Sequence, residues 1–136
     1  KRTVYDVLSC SSVSLLSMLL INSSIAVVLP LSYLIFGMMW SISACLKIPL
    51  SAEYSMNDYG GDKALRNPLF IKTNRILTTA WGLFYLIAAI SSYFIIRCNS
   101  TAALWIISSI CPLLLGIFTL WFQKWYPYKI ARGNNK

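Results

Sequence analysis

Residues 7–46 decide the fold, because they read VLSCSSVSLLSMLLINSSIAVVLPLSYLIFGMMWSISACL and contain no charged residue. One helix made of these 40 residues would be about 60 Å long at about 1.5 Å per residue. That is twice the thickness of the hydrocarbon core of a bilayer, which is about 30 Å. The stretch therefore predicts two membrane-spanning helices joined by a tight hairpin.

Two sites between residues 22 and 30 suit the turn of this hairpin. Asn22-Ser23-Ser24 is polar, and residues of these types cap the beginning of a helix well. Leu29-Pro30 instead offers a proline suited to the first turn of a second helix. The sequence leaves the choice open.

The whole chain contains four apolar stretches long enough to span a membrane, at residues 7–27, 29–46, 76–96 and 102–122. Asn67 followed by Pro68 predicts the start of a helix that runs into the third stretch. The first stretch is too long for the core of a cleavable signal peptide, and a second span follows it directly. We predict an all-α fold: a single integral membrane domain, built as a bundle of four transmembrane helices in two hairpins.

Composition supports lipid as the solvent of this chain. Its 136 residues are 57% hydrophobic and 12% charged, whereas about 25% of the residues of a soluble domain are charged. The net charge of +8 does not indicate nucleic-acid binding, because the basic residues flank apolar stretches and do not form one face.

The positions of the basic residues predict the orientation. Eleven of the twelve Lys and Arg residues precede the first span, follow the fourth, or lie between the second and third; the exception is Arg97. The positive-inside rule therefore predicts that both termini and the loop 47–75 lie in the cytoplasm. We expect anionic lipid head groups to contact Lys47, Lys72, Arg75, Lys124 and Lys129.

The chain lacks the residues that several kinds of metal, redox and transport site require. The chain has no His and no Cys-x-x-Cys pair among Cys10, Cys45, Cys98 and Cys111, which excludes imidazole metal sites and His-held haem and argues against thiol redox catalysis. No Asp, Glu, Lys or Arg lies in the middle of a span, although ion-coupled carriers place such groups there. We expect no metal and no cofactor.

Small polar residues are frequent inside the spans, above all serines in the first one. Small residues let membrane helices approach closely, which favours helix packing as their role. A polar pathway through the bundle is the alternative interpretation.

The loop 47–75 is the part of the chain richest in chemical groups. Ser51-Ala52-Glu53-Tyr54 predicts a short helix at the membrane interface, and Gly60-Gly61 interrupts the loop. The polar residues of this loop have two interpretations. On the first, they cap helices and form charge pairs. On the other, the loop is a binding or active site, whose candidate residues are Glu53, Tyr54, Asp58, Asn74 and Arg75.

Three sequence segments in and next to this loop resemble a known pattern. They read PLSAEYS at 49–55, NPLFIKTNR at 67–75 and TTAWG at 78–82. This pattern resembles a family of bacterial multi-pass membrane proteins that are similar to intracellular septation protein A. Leu50 and Ser51 stand where that family has Phe and Thr. The resemblance covers about a quarter of the chain, implies a multi-span inner-membrane protein, and implies no particular activity.

Three functions are compatible with the sequence. The first is an interaction or accessory protein, acting as a homo-oligomer or with a membrane-protein partner through its serine-rich first hairpin. The second is a transporter or channel for a small solute, in which an oligomer encloses a path lined by serines and Asn22. The third is a membrane enzyme that acts on a lipid or a phosphorylated head group through the loop, which requires Glu53 and Arg75 to share a pocket.

Overall fold

A computed structural model describes residues 4–133, and every regular element in this range is helical. The elements are α1 (Val4–Asn22), α2 (Ile25–Cys45), α3 (Leu50–Ser55), a 3₁₀ turn (Met56–Tyr59), α4 (Asp62–Leu65), α5 (Pro68–Arg97), α6 (Thr101–Trp105), a π-helical turn (Ile106–Ile110) and α7 (Cys111–Gly133). The last three are continuous, and Thr101–Arg132 is called the C-terminal helix below. The all-α prediction is confirmed for residues 4–133.

Three of these helices are long and apolar enough to cross a membrane: Ile25–Cys45, Pro68–Arg97 and Thr101–Arg132. The apolar part of α1, Tyr5–Ile21, is shorter. Length and composition thus identify three candidate spans, as expected of a membrane protein.

The turn between α1 and α2 lies at Ser23 and Ser24. The Ser24 hydroxyl accepts a hydrogen bond from the Ala26 N–H at 3.2 Å and caps α2, since Ser satisfies an N–H that the first helical turn leaves unpaired. Pro30 lies inside α2. The Leu29-Pro30 alternative is therefore wrong, and residues 25–27 belong to the second helix.

Helix α5 begins where the sequence predicts. The Asn67 side chain accepts hydrogen bonds from the N–H groups of Leu69 (2.9 Å) and Phe70 (3.4 Å), and Pro68 occupies the first turn. The chain then reverses through Asn99, which has a φ of 53°. Asn tolerates this left-handed conformation better than most residues.

The C-terminal helix extends beyond residue 122, the predicted end of the fourth span, to Arg132. Its π-helical turn immediately precedes Cys111 and Pro112. Proline has no N–H with which to continue the helical hydrogen-bond ladder, and its ring crowds the preceding turn. The local change of helix type is consistent with that missing donor.

The tightest packing joins α2 to α5, where small residues face each other. A Cβ added to Gly82 would lie 2.6 Å from Ser41 Oγ and 3.0 Å from its backbone nitrogen, and one added to Gly37 would lie 3.0 Å from the backbone nitrogen of Leu86. Such close approach of two backbones needs residues of this size. Between the same helices, the rings of Trp40, Trp81 and Tyr85 lie 5.7–6.4 Å apart.

The short helix α3 defines one end of the bundle, called the loop end below. Its residues Leu50 and Ala52 are 1% and 0% exposed, so this helix packs beneath α2 and α5. Asp6 near the start of α1 accepts a hydrogen bond from Tyr54, and Gln123 of the C-terminal helix donates one to Asn74. Hence α1 begins at the loop end, and the C-terminal helix returns to it.

Candidate functional site

A buried polar cluster of Ser51, Asn74 and Thr78 attaches α3 to α5. The Ser51 hydroxyl donates to the Asn74 carbonyl at 2.7 Å and lies 2.9 Å from Thr78 Oγ1. Thr78 Oγ1 also accepts from the Ser51 N–H at 3.2 Å. Thr78 is 0% exposed, and buried polar groups without partners are costly. The cluster therefore fixes where α3 sits.

Asn74 lies at the meeting point of three helices. It is 1% exposed. Its Nδ2 donates to the Phe70 carbonyl at 3.0 Å, while its Oδ1 accepts from Ser55 Oγ (3.2 Å) and Gln123 Nε2 (3.3 Å). One amide thereby joins α3, α5 and the C-terminal helix.

Arg75 closes the end of α2. Its guanidinium donates to the Leu46 carbonyl at 2.9 Å, satisfying one of the carbonyls that a helix end leaves free. Ser43 Oγ accepts from the Leu50 N–H at 2.7 Å and holds the next turn of the loop. Arg75 thus contacts backbone and forms no ion pair with Glu53.

The remaining loop candidates lie elsewhere. Glu53 is half-buried and faces α1, while Asp58 is exposed in the 3₁₀ turn. The Tyr54 hydroxyl donates to Asp6 Oδ1 at 3.4 Å. The structure therefore brings Glu53 and Tyr54 together beside Asp6, and it does not assemble the five candidates into one pocket.

Burial, and next the negative charge of Asp6, raises the pKa of the Glu53 carboxyl above its ordinary value. The pKa of Tyr54 is raised first by burial and then by Asp6. Desolvation and a neighbouring like charge both disfavour the ionised form. A cation close to Glu53 would relieve both effects.

Glu53 lines a cavity of about 740 Å³. Helices α1 and α2 form its walls, and the loop after α2 closes one end. It is partly open, and its walls are mainly apolar side chains, including Leu8, Ile35, Met39 and Ile42. Cavities of about 300–1,000 Å³ with a few polar groups are typical of ligand sites.

The side chains of α1 differ in size along the face that borders this cavity. From Val7 onward, the less exposed residues of α1 are Ser9, Ser12, Leu16 and Leu19, a spacing that places them on one face of a helix. Leu16 is 6% exposed, whereas Ser12 lines the cavity. Large residues thus fill the contact far from the loop end, and serines leave it open near that end.

A smaller cavity of about 370 Å³ lies between α5 and the C-terminal helix, against Asn74, Gln123 and Lys124. The five predicted head-group contacts are all exposed, and Lys129 also stacks over the ring of Trp125 at 4.8 Å.

Among residues 4–133, no group of three His, Cys, Asp or Glu side chains could hold a metal ion.

Comparison of the chain with protein-family models, curated proteins and solved structures finds no match. The resemblance to the septation protein A-like family stays a prediction.

Sequence reasoning left open whether the polar residues of the loop serve helix capping or a binding site, and it did not predict the hydrogen bonds of Asn74. Asn74 and Thr78 stand four residues apart at the start of an apolar helix, which places them on one face. Two hydrogen-bonding side chains on the same buried face were the available signal for a structural cluster. The cavity had no such signal, because it depends on how far α1 stands from α2.

Proposed function

We propose that the chain spans the inner membrane four times, with both termini and the loop end in the cytoplasm. Helix α1 has 19 residues, about 28 Å at about 1.5 Å per residue, close to the about 30 Å hydrocarbon core. The return of the C-terminal helix to the loop end, where basic residues are concentrated, supports this orientation. An impermeant thiol reagent added to intact cells should then label Cys98, in the opposite turn, and spare Cys45.

Within that membrane, we propose that the protein acts by interaction, as a homo-oligomer that associates through α1. The observation that carries this proposal is the uncovered outer face of α1. Among its described side chains, Leu16 alone is buried, and Cys10, Ser14 and Ser17 are exposed on the face away from α2. Small residues spaced three and four apart form such contacts in membranes.

Two exposed hydroxyls of α1, those of Ser11 and Ser17, need no partner from a second molecule. Ser17 Oγ donates to the Val13 carbonyl at 2.8 Å, and Ser11 Oγ to the Val7 carbonyl at 2.7 Å. Both hydroxyls are satisfied within α1, so these two serines offer small volume and not unsatisfied polarity. This favours close helix packing over a solute path. Asn22, which the transporter hypothesis invoked, has a side chain outside the described residues.

Disulfide cross-linking through Cys10 tests the association. In a variant with Cys45, Cys98 and Cys111 changed to Ser, oxidation in membranes should give a covalent dimer. Ser14→Leu should reduce its yield severalfold, because a larger side chain separates the helices. Ser109→Leu, at an exposed serine of the C-terminal helix, is the matched control. A monomer that never cross-links, or equal loss in both variants, would contradict the proposal.

A further inference from the structure

The cavity between α1 and α2 carries charges of both signs at one end only. Lys47 and Glu53 line it, and both belong to the loop segment. Towards the other end its lining is mainly apolar, from Ile35 and Met39, with the small side chain of Ser12. A ligand that matches this lining has a hydrocarbon tail and a polar head, with the head at the loop end.

The charged residues at this end limit which head groups fit. Glu53 lines the cavity, and Asp6 lies close enough to raise the pKa of Glu53, so a carboxylate is available to a cationic group. Lys47, on the same cavity, offers an ammonium to an anionic oxygen. A head group with a phosphate and an amine satisfies both residues, whereas a purely anionic one faces repulsion from Glu53.

We propose that this cavity binds one acyl chain of an amine-bearing phospholipid, with Lys47 at its phosphate and Glu53 at its ammonium group. This differs from general attraction to anionic lipids, because it needs one acidic residue at a defined place. It rests on the proposed insertion of α1 in the membrane, and it does not depend on self-association.

Native mass spectrometry of the full chain tests the proposal by counting retained lipids and subunits in one spectrum. Protein in detergent is mixed with equal amounts of phosphatidylethanolamine and phosphatidylglycerol. We expect the wild type to retain the ethanolamine lipid preferentially, and Glu53→Gln to reduce this preference about tenfold, as loss of one charged hydrogen bond would. Lys47→Gln should weaken retention of both lipids.

Matched controls keep the test specific. Asp58→Asn and Lys63→Gln change exposed charges of the same loop that do not line the cavity, and both should bind like the wild type. Ser12→Leu narrows the cavity and should reduce retention of both lipids while the helical circular dichroism is unchanged. Equal retention of the two lipids by the wild type, or equal effects of Asp58→Asn and Glu53→Gln, would overturn the proposal.

Because subunit number is read independently, a monomer that retains the lipid contradicts only the self-association. An oligomer without lipid preference contradicts only the lipid site. The two proposals can therefore fail separately.

Discussion

Helix α2 packs closely against α5 and loosely against α1, and the side chains of these two partner helices account for the difference. Against α5, backbones approach so closely that Gly82 has no room for a Cβ, and the buried residues Ala88, Ala89 and Ser92 continue the contact. Against α1, Leu16 is buried while the space beside Ser12 remains open. One helix thus has a closed interface on one side and a cavity on the other.

This difference shows that small residues do not by themselves bring helices together. In lipid, association depends on packing and hydrogen bonds, because apolar side chains gain little by leaving the acyl chains. The α2–α5 pair adds a buried polar cluster through α3, whereas α1 is tied to the loop end by the exposed Tyr54–Asp6 hydrogen bond. Across the α1–α2 contact, Ser9 Oγ donates to Met39 Sδ at 4.0 Å, a weaker hydrogen bond than those of the polar cluster, and a gap remains beside Ser12.

We expect the largest loss of stability from a substitution of Gly82, in the closed interface between α2 and α5. Gly82→Leu places a side chain against the backbone of Ser41, which cannot move without shifting α2. We expect a loss at or above the upper end of the about 1–3 kcal/mol typical of overpacking, measured as free energy of unfolding by SDS titration. Gly116→Leu is the control, since nothing lies within 4 Å of a Cβ there. Equal losses in both variants would contradict the tight interface.

The polar cluster should be the next most sensitive feature. Thr78→Val keeps the shape of the side chain but leaves the Ser51 N–H without its acceptor. An unsatisfied buried group of this kind costs about 1–3 kcal/mol. Thr79→Val removes a hydroxyl that is exposed and bonds only to the Arg75 carbonyl of its own helix, so it should change the unfolding free energy little. The same measurement on both variants decides whether α3 is held by Thr78.

The open interface should show the smallest effect, a dependence of stability on pH. Because the pKa of Glu53 is raised in the folded protein, the folded state retains a proton that the unfolded chain releases. The stabilisation is fully present below the ordinary pKa of a glutamate, about 4.3, and is lost as pH rises through the raised value. The thermal midpoint in detergent should therefore fall as the pH rises from about 4.3, the ordinary pKa of a glutamate, through the raised pKa of Glu53.

Glu53→Gln should flatten this decline, while Asp58→Asn should keep it. The difference should be small, since Glu53 is only half-buried and solvent screens its charge. If the thermal midpoint of Glu53→Gln falls with pH as much as that of the wild type, the pH dependence belongs to another group.

Much of the fold could be predicted from local chemistry. The cap formed by Asn67, the proline at 68 and the charge-free run from 7 to 46 each act within a few residues, so the helices they start or define follow directly from the sequence. The site could not be read the same way. The sequence left two interpretations of Asn74 and Arg75 open, helix capping or a binding site, and only the structure shows their hydrogen bonds to Gln123 and Leu46.

The sequence by itself determined the helical class and the helix boundaries set by capping residues, because these depend on hydropathy and on backbone groups close along the chain. The tertiary structure alone decided that Ser51 and Thr78 form a buried contact, that Glu53 faces Asp6 and not Arg75, and that serines on α1 border a cavity. Those facts depend on the distances and rotations between helices. Such distances are set by the packing of whole faces, in which each residue's role depends on what lies opposite.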